Sequence, residues 1–100
     1  MPTLPNADQD DADDLLELLH AQPDLRHLRV RRRAGILTIE SGPKGDAVPH
    51  ARLRRVTQHL WTLEVATHMG AWQATGLRSP LPDVVQTLEH QFPWVLAPRA

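Results

Sequence analysis

Six histidines in a chain of 100 residues are the first groups to weigh for metal binding or proton transfer, and His50, His59 and His68 are evenly spaced. If the segment between them forms an antiparallel meander, successive turns fall at opposite ends of the sheet. His50 and His68 would then be neighbours and His59 would lie far from both. Two imidazoles make a poor zinc site, since catalytic sites use three protein ligands and structural sites four. The expectation is therefore no metal and no cofactor, with the histidines solvated in turns. Hydrolytic chemistry has no better footing, because neither Ser41 nor Ser79 sits in a G-x-S-x-G context. The run Ser41-Gly42-Pro43-Lys44-Gly45 lacks the spacing of a phosphate loop, and Pro43 removes an amide donor that such a loop relies on. Glu40, Glu64 and Asp83 are isolated along the chain. Cysteine is absent, which removes thiolate catalysis, disulfides and sulfur-ligated zinc. The chain is expected not to be an enzyme.

Charge carries more information than any catalytic motif. The net charge of -1 conceals a segregation: residues 1–24 hold seven acids and no base, whereas residues 25–55 hold eight arginines and Lys44 against Glu40 and Asp46. Such asymmetry is the compositional sign of a charged partner. Ten of the eleven bases are arginine, a bias that codon usage in a GC-rich genome explains better than function does, since arginine is enriched throughout the chain.

The elements that must position these charges follow from periodicity. Residues 1–10 read as an acidic flexible tail and residues 11–100 as one α+β domain, long enough to bury a core unaided. Leu15, Leu16, Leu18 and Leu19 form one stripe of helical period, with Asp13 and Asp14 in the first turn and Pro23 as the stop. From Leu25 the period becomes two, with Leu28 and Val30 alternating against His27, Arg29, Arg31 and Arg33. Ala34-Gly35 offers a hairpin turn that would pair Arg33 with Ile36, Arg32 with Leu37, Val30 with Ile39 and Arg29 with Glu40. After a Gly/Pro-rich loop over residues 41–50, three further strands are expected at Ala51–Val56, around Trp61–Val65 and at Ala71–Thr75. Gly76–Leu81 then serves as a connector. A C-terminal helix begins at Pro82, carries Leu81, Val84, Val85, Leu88 and Phe92 on one stripe, and stops at Pro93. Trp94, Val95 and Leu96 should form an apolar closing strip against the sheet. The expected architecture is an N-terminal helix, an antiparallel meander of about five strands and a C-terminal helix packed on one face.

On that meander Arg29, Arg31 and Arg33 share the outer side. Arg52 and Arg54 join them if Arg55 turns inward with Leu53. An arginine-lined face can neutralise phosphates, so nucleic acid or another polyanion is the leading expected partner. Against it stands a lack of stacking platforms, because Trp61, Trp72, Phe92 and Trp94 all fall on expected core stripes. Asp8–Asp14 reads either as a helix-capping, solubilising run or as a cover folded across the arginines. Trp94 is the least constrained tryptophan and the candidate anchor for a protein partner or for homodimerisation. No apolar run suggests a membrane, the acidic N-terminal segment does not resemble a secretory signal, and a cytoplasmic location is expected.

Overall fold

In the computed structural model, residues 6–67 and 69–97 are described, and the fold is the expected α+β arrangement. A first helix, α1 (Gln9–His20), leads through a 3-10 turn into the strands β1 (Arg29–Arg33), β2 (Ile36–Ser41), β3 (Val48–Arg55), β4 (Trp61–Ala66) and β5 (Trp72–Ser79). Two helices, α2 (Leu81–Gln91) and α3 (Pro93–Leu96), close the chain. The strands pair in sequence order as an antiparallel meander. All three helices lie on one side of it: α1 over β1 and against α2, α2 over β4 and β5, and α3 over β3. Among the described residues the opposite side of the sheet carries no helix.

The core forms between these layers. Leu15 and Leu19 of α1, Val84 and Leu88 of α2, and Leu37, Ile39, Leu53 and Leu63 of the sheet are almost fully buried. Helices this short are marginal alone and persist because each lays one apolar stripe on the sheet. The ordered domain reaches further back than residue 11. Helix α1 starts at Gln9, and Ala7 is buried in the core, its N–H donating to the Ala34 carbonyl. Arg55 captures the Asn6 carbonyl at 2.9 Å. What holds this segment is the inward-facing guanidinium of Arg55, which also bonds the Asp11 carboxylate at 2.9 Å and the Gln58 carbonyl at 2.8 Å.

The first hairpin has the expected register, from Arg29 opposite Glu40 to Arg33 opposite Ile36. Two irregularities were not anticipated. Between β2 and β3 the partner of Ile39 is Ala51 and that of Glu40 is Pro49, so His50 is the extra residue of a bulge. Between β4 and β5, Glu64 faces Ala74 but Thr62 faces Arg78. The intervening residues of β5 form a bulge around Gly76, whose φ of +79° suits glycine. The bulge lets β5 run on to Ser79, through the residues expected to form a connector.

The turn between β4 and β5 decides the fate of Trp72. Thr67 donates to the Ala71 carbonyl and Gly70 to that of Thr67, which makes Ala66 and Trp72 cross-strand partners. Partners share a face. Since Leu63 and Val65 point into the core, Ala66 and Trp72 point away from it, and the expected core position of Trp72 is corrected. Among the four aromatic residues only Trp61 is a buried core side chain, at 2% exposure.

Candidate functional site

The register stacks the outer side chains in rows across the sheet. Arg33 faces Ile36, Ile36 faces Arg54, Arg54 faces Thr62 and Thr62 faces Arg78. One row therefore carries three arginines on alternate strands, with backbones about 10 Å apart given normal strand spacing. All three are exposed, and among the described residues none has a carboxylate within ion-pair distance. The next row runs from Arg31 through Thr38 and Arg52 to Glu64 and Ala74. Arg29 and Glu40 stand beyond it. Among the described residues the face thus gathers six guanidinium groups against two carboxylates, and the structure brings together all five arginines expected there, Arg29, Arg31, Arg33, Arg52 and Arg54. Arg55 turns inward with Leu53, as the alternation required.

The six differ in how far the protein already uses them. Arg29 bonds the Gly42 carbonyl and lies 3.4 Å from Glu40, which fixes the loop after β2 and makes Arg29 mainly structural. Arg31 shares Glu40 at 3.4 Å, but its side chain is 59% exposed and can turn to another anion. Arg52 is held by both oxygens of Glu64, Nε to Oε1 at 2.9 Å and Nη2 to Oε2 at 3.2 Å. The hydrogen bond from Arg52, together with the charges of Arg52 and Arg54, keeps the Glu64 carboxyl below its ordinary range despite partial burial, which acts the other way. That fork also sets Arg52 over the indole of Trp72, with its Cζ 4.4 Å from the ring centroid.

Trp72 is therefore the aromatic residue the arginine face was expected to lack. It lines a depression of about 340 Å³ with Arg31, Arg33, Ile36, Thr38, Pro49 and Arg52. A second depression, of about 420 Å³, lies between Arg54, Glu64 and Arg78. Sequence reasoning missed Trp72 because core parity was carried across the β4–β5 turn. It missed Arg78 because Gly76 read as the end of a strand.

The acids take the other side of the molecule. Helix α1 buries Ala12, Leu15 and Leu19 and so turns Asp10, Asp13, Asp14 and Glu17 away from the sheet, on the layer opposite the arginines. Asp8 and Asp11 reach Arg55 on the inner side, at 4.0 and 2.9 Å. The Asp11 carboxylate also accepts from the Asp8 N–H at 2.9 Å, tying down the first turn. Asp8–Asp14 caps a helix and does not cover the arginine face.

His50 departs furthest from the solvated state expected of it. His50, turned inward by the bulge, is fully buried; its Nδ1 lies 2.7 Å from the Val95 carbonyl and its Nε2 2.7 Å from Ser41 Oγ. A carbonyl can only accept, so Nδ1 carries the proton in the neutral ring, and the Ser41 hydroxyl donates to Nε2. This is the polarity of a nucleophile–base pair, but Ser41 too is buried, at 7% exposure. His27 lies edge-on to His50 and its Nε2–H donates to the Leu96 carbonyl at 2.8 Å. Two histidines thus take the carbonyls at the end of α3, which a helix terminus otherwise leaves unpaired, and fasten that segment to the sheet. The expected pairing of His50 with His68 involves a residue outside the described set. Among the described residues no three His, Asp or Glu side chains converge as a metal site would require.

Trp94 is 67% exposed, in contrast to the buried Val95 and Leu96 beside it. Its ring packs edge-on against Phe92 at 5.8 Å, next to a depression of about 460 Å³ bordered by β4 and β5. Among the described residues no helix is long and apolar enough to cross a membrane. Comparison with protein families, with characterised proteins and with solved structures finds no match for this chain.

Proposed function

We propose that this protein is a non-catalytic binding module that engages nucleic acid or another polyanion through the face of its sheet opposite the helices. The observation that carries this reading is the in-register row Arg33, Arg54 and Arg78, exposed and with no carboxylate partner among the described residues, on a layer facing away from the acids of α1. Unpaired guanidinium groups held on a rigid sheet form charge-assisted bonds to phosphate without first breaking an internal ion pair. Arg31 adds a fourth such group at the cost of a weak contact with Glu40. A cytoplasmic setting, where such polyanions are abundant, fits this function. A non-catalytic role fits the burial of the nucleophile–base pair Ser41 and His50 beneath α3. Fluorescence anisotropy with labelled single-stranded DNA, duplex DNA, RNA and heparin at two salt concentrations tests the proposal. Binding that weakens steeply with salt is expected for at least one of these; no binding to any of them at low salt refutes it.

The exposed Trp94–Phe92 pair favours a second function, an apolar contact with a protein partner or a second copy of the chain. Light scattering on the wild type and on Trp94→Ala tests self-association. A dimer lost in the variant supports it, whereas a monomer in both removes that version. An apolar contact would respond little to salt, which separates the two functions.

A further inference from the structure

We infer that the occupant of the arginine face is a single-stranded nucleic acid, one of whose bases stacks on the Arg52–Trp72 platform; this rests on the polyanion-binding function proposed above. The depression beside the platform is chemically mixed. Arg31 and Arg33 stand on one side and Arg52 and Trp72 on the other, with Ile36 and Pro49 between them. A purely anionic ligand such as polyphosphate would use the guanidinium groups and leave the indole, the isoleucine and the proline without a partner. Duplex DNA presents phosphates on a convex surface and keeps its bases stacked inside, so it too would leave the depression unfilled. An unpaired nucleotide brings both parts at once, a flat apolar base and a phosphate. At about 340 Å³ the depression lies at the lower end of the range for small-molecule sites.

The platform is prepared for stacking before any ligand arrives. Glu64 grips Arg52 through two hydrogen bonds, and the guanidinium in turn lies over the indole. A planar cation fixed in this way offers a stacking surface with little side-chain entropy left to lose. Arg31 and Arg33 are two residues apart on β1, so their backbones are separated by about 6.7 Å, close to the phosphate-to-phosphate step of an extended strand. They are placed to hold the phosphates flanking a base seated at Trp72. Arg54 and Arg78 continue the positive track across the sheet.

The test compares a short oligothymidylate with an abasic strand of equal length, which has the same phosphates and no bases, on the full chain at one low salt concentration. The oligothymidylate should bind about tenfold tighter or more and should quench tryptophan emission, which the abasic strand should not. Trp72→Leu should bring the oligothymidylate down to the abasic affinity without altering the latter, while Trp72→Phe should retain most of the difference. Equal affinity of the two strands for the wild type overturns the stacking inference and leaves phosphate binding intact. Tighter binding of a duplex of the same sequence overturns it as well. If neither strand, nor duplex, nor polyphosphate binds, polyanion binding itself is lost, an outcome distinct from the other two.

Discussion

Replacing Arg55 with methionine keeps the aliphatic stem and removes the guanidinium that joins the N-terminal segment to the sheet. The side chain is 10% exposed and meets the Asp11 carboxylate at 2.9 Å. It also donates to the carbonyls of Asn6, Thr57 and Gln58 at 2.9, 3.3 and 2.8 Å, and its Cζ lies 5.5 Å from the Trp61 ring centroid. A hydrogen bond involving a charged group contributes about 1.5–3 kcal/mol, but these four do not add. Asp11 keeps 20% of its side-chain surface exposed, and water can reach part of what Arg55 vacates. Breaking a buried pair costs about 3–5 kcal/mol, and that partial solvation lowers the expected loss to about 2–4 kcal/mol. For a domain of this size the loss corresponds to a fall in Tm on the order of 10–25 °C. Urea unfolding followed by far-ultraviolet circular dichroism measures it, with an unchanged m-value as the sign that two-state behaviour persists. A loss below about 0.5 kcal/mol, the level of an exposed ion pair, would refute the anchoring role of Arg55.

Further outcomes follow from single sites. Ala34 carries a φ of +51° at the first hairpin, so Ala34→Gly should stabilise by about 0.5–1 kcal/mol, the relief of left-handed strain exceeding the entropy glycine adds to the unfolded chain; a destabilised variant in the same urea assay contradicts this. Glu64 is held below its ordinary carboxylate range, chiefly by Arg52. Its contribution to stability is therefore fully present above the unfolded-state pKa and lost as pH falls from there through the lower folded-state value. Glu64→Gln should flatten that part of the stability profile, and an unaltered acid limb would count against the assignment. His50→Phe leaves Ser41 Oγ and the Val95 carbonyl without their bonds to the ring and should cost about 2–4 kcal/mol. Hydrogen exchange should show α3 loosened more than β4, and uniform loosening would mean that the ring does not fasten α3 in particular.

Much of the fold was legible because period-two alternation and a two-residue turn determine a hairpin together. Val30, Leu37 and Ile39 must face the core, and only one register allows it, the one that also sets Arg29 against Glu40 and Arg33 against Ile36. Misreadings arose where one residue of turn or bulge inverts the parity. Trp72 was assigned to the core by extending the Trp61, Leu63, Val65 phase through the turn, whereas pairing of Ala66 with Trp72 reverses it. Gly76, read as a strand end, is the hinge of a bulge beyond which β5 brings Arg78 onto the arginine row. His50 follows the same logic: Pro49 inside a strand signals an irregularity, and the extra residue there turns inward to meet Ser41 and Val95. The five arginines first assigned to the outer face all lie on it, because their alternation lies within regular stretches on either side of the first bulge.

Arg33, Arg54 and Arg78, which share one cross-strand row and have no carboxylate partner among the described residues, are proposed to carry the interaction with phosphate. Affinity of the full chain for a single-stranded oligonucleotide, measured between about 50 and 200 mM salt in the wild type and in the combined Arg33→Gln, Arg54→Gln, Arg78→Gln variant, tests it most directly. With each lost phosphate contact reducing the slope of log affinity against log salt by about 0.7, the variant should bind more weakly at low salt, with a slope shallower by about 2. The same affinity and the same slope in a folded variant would contradict the claim.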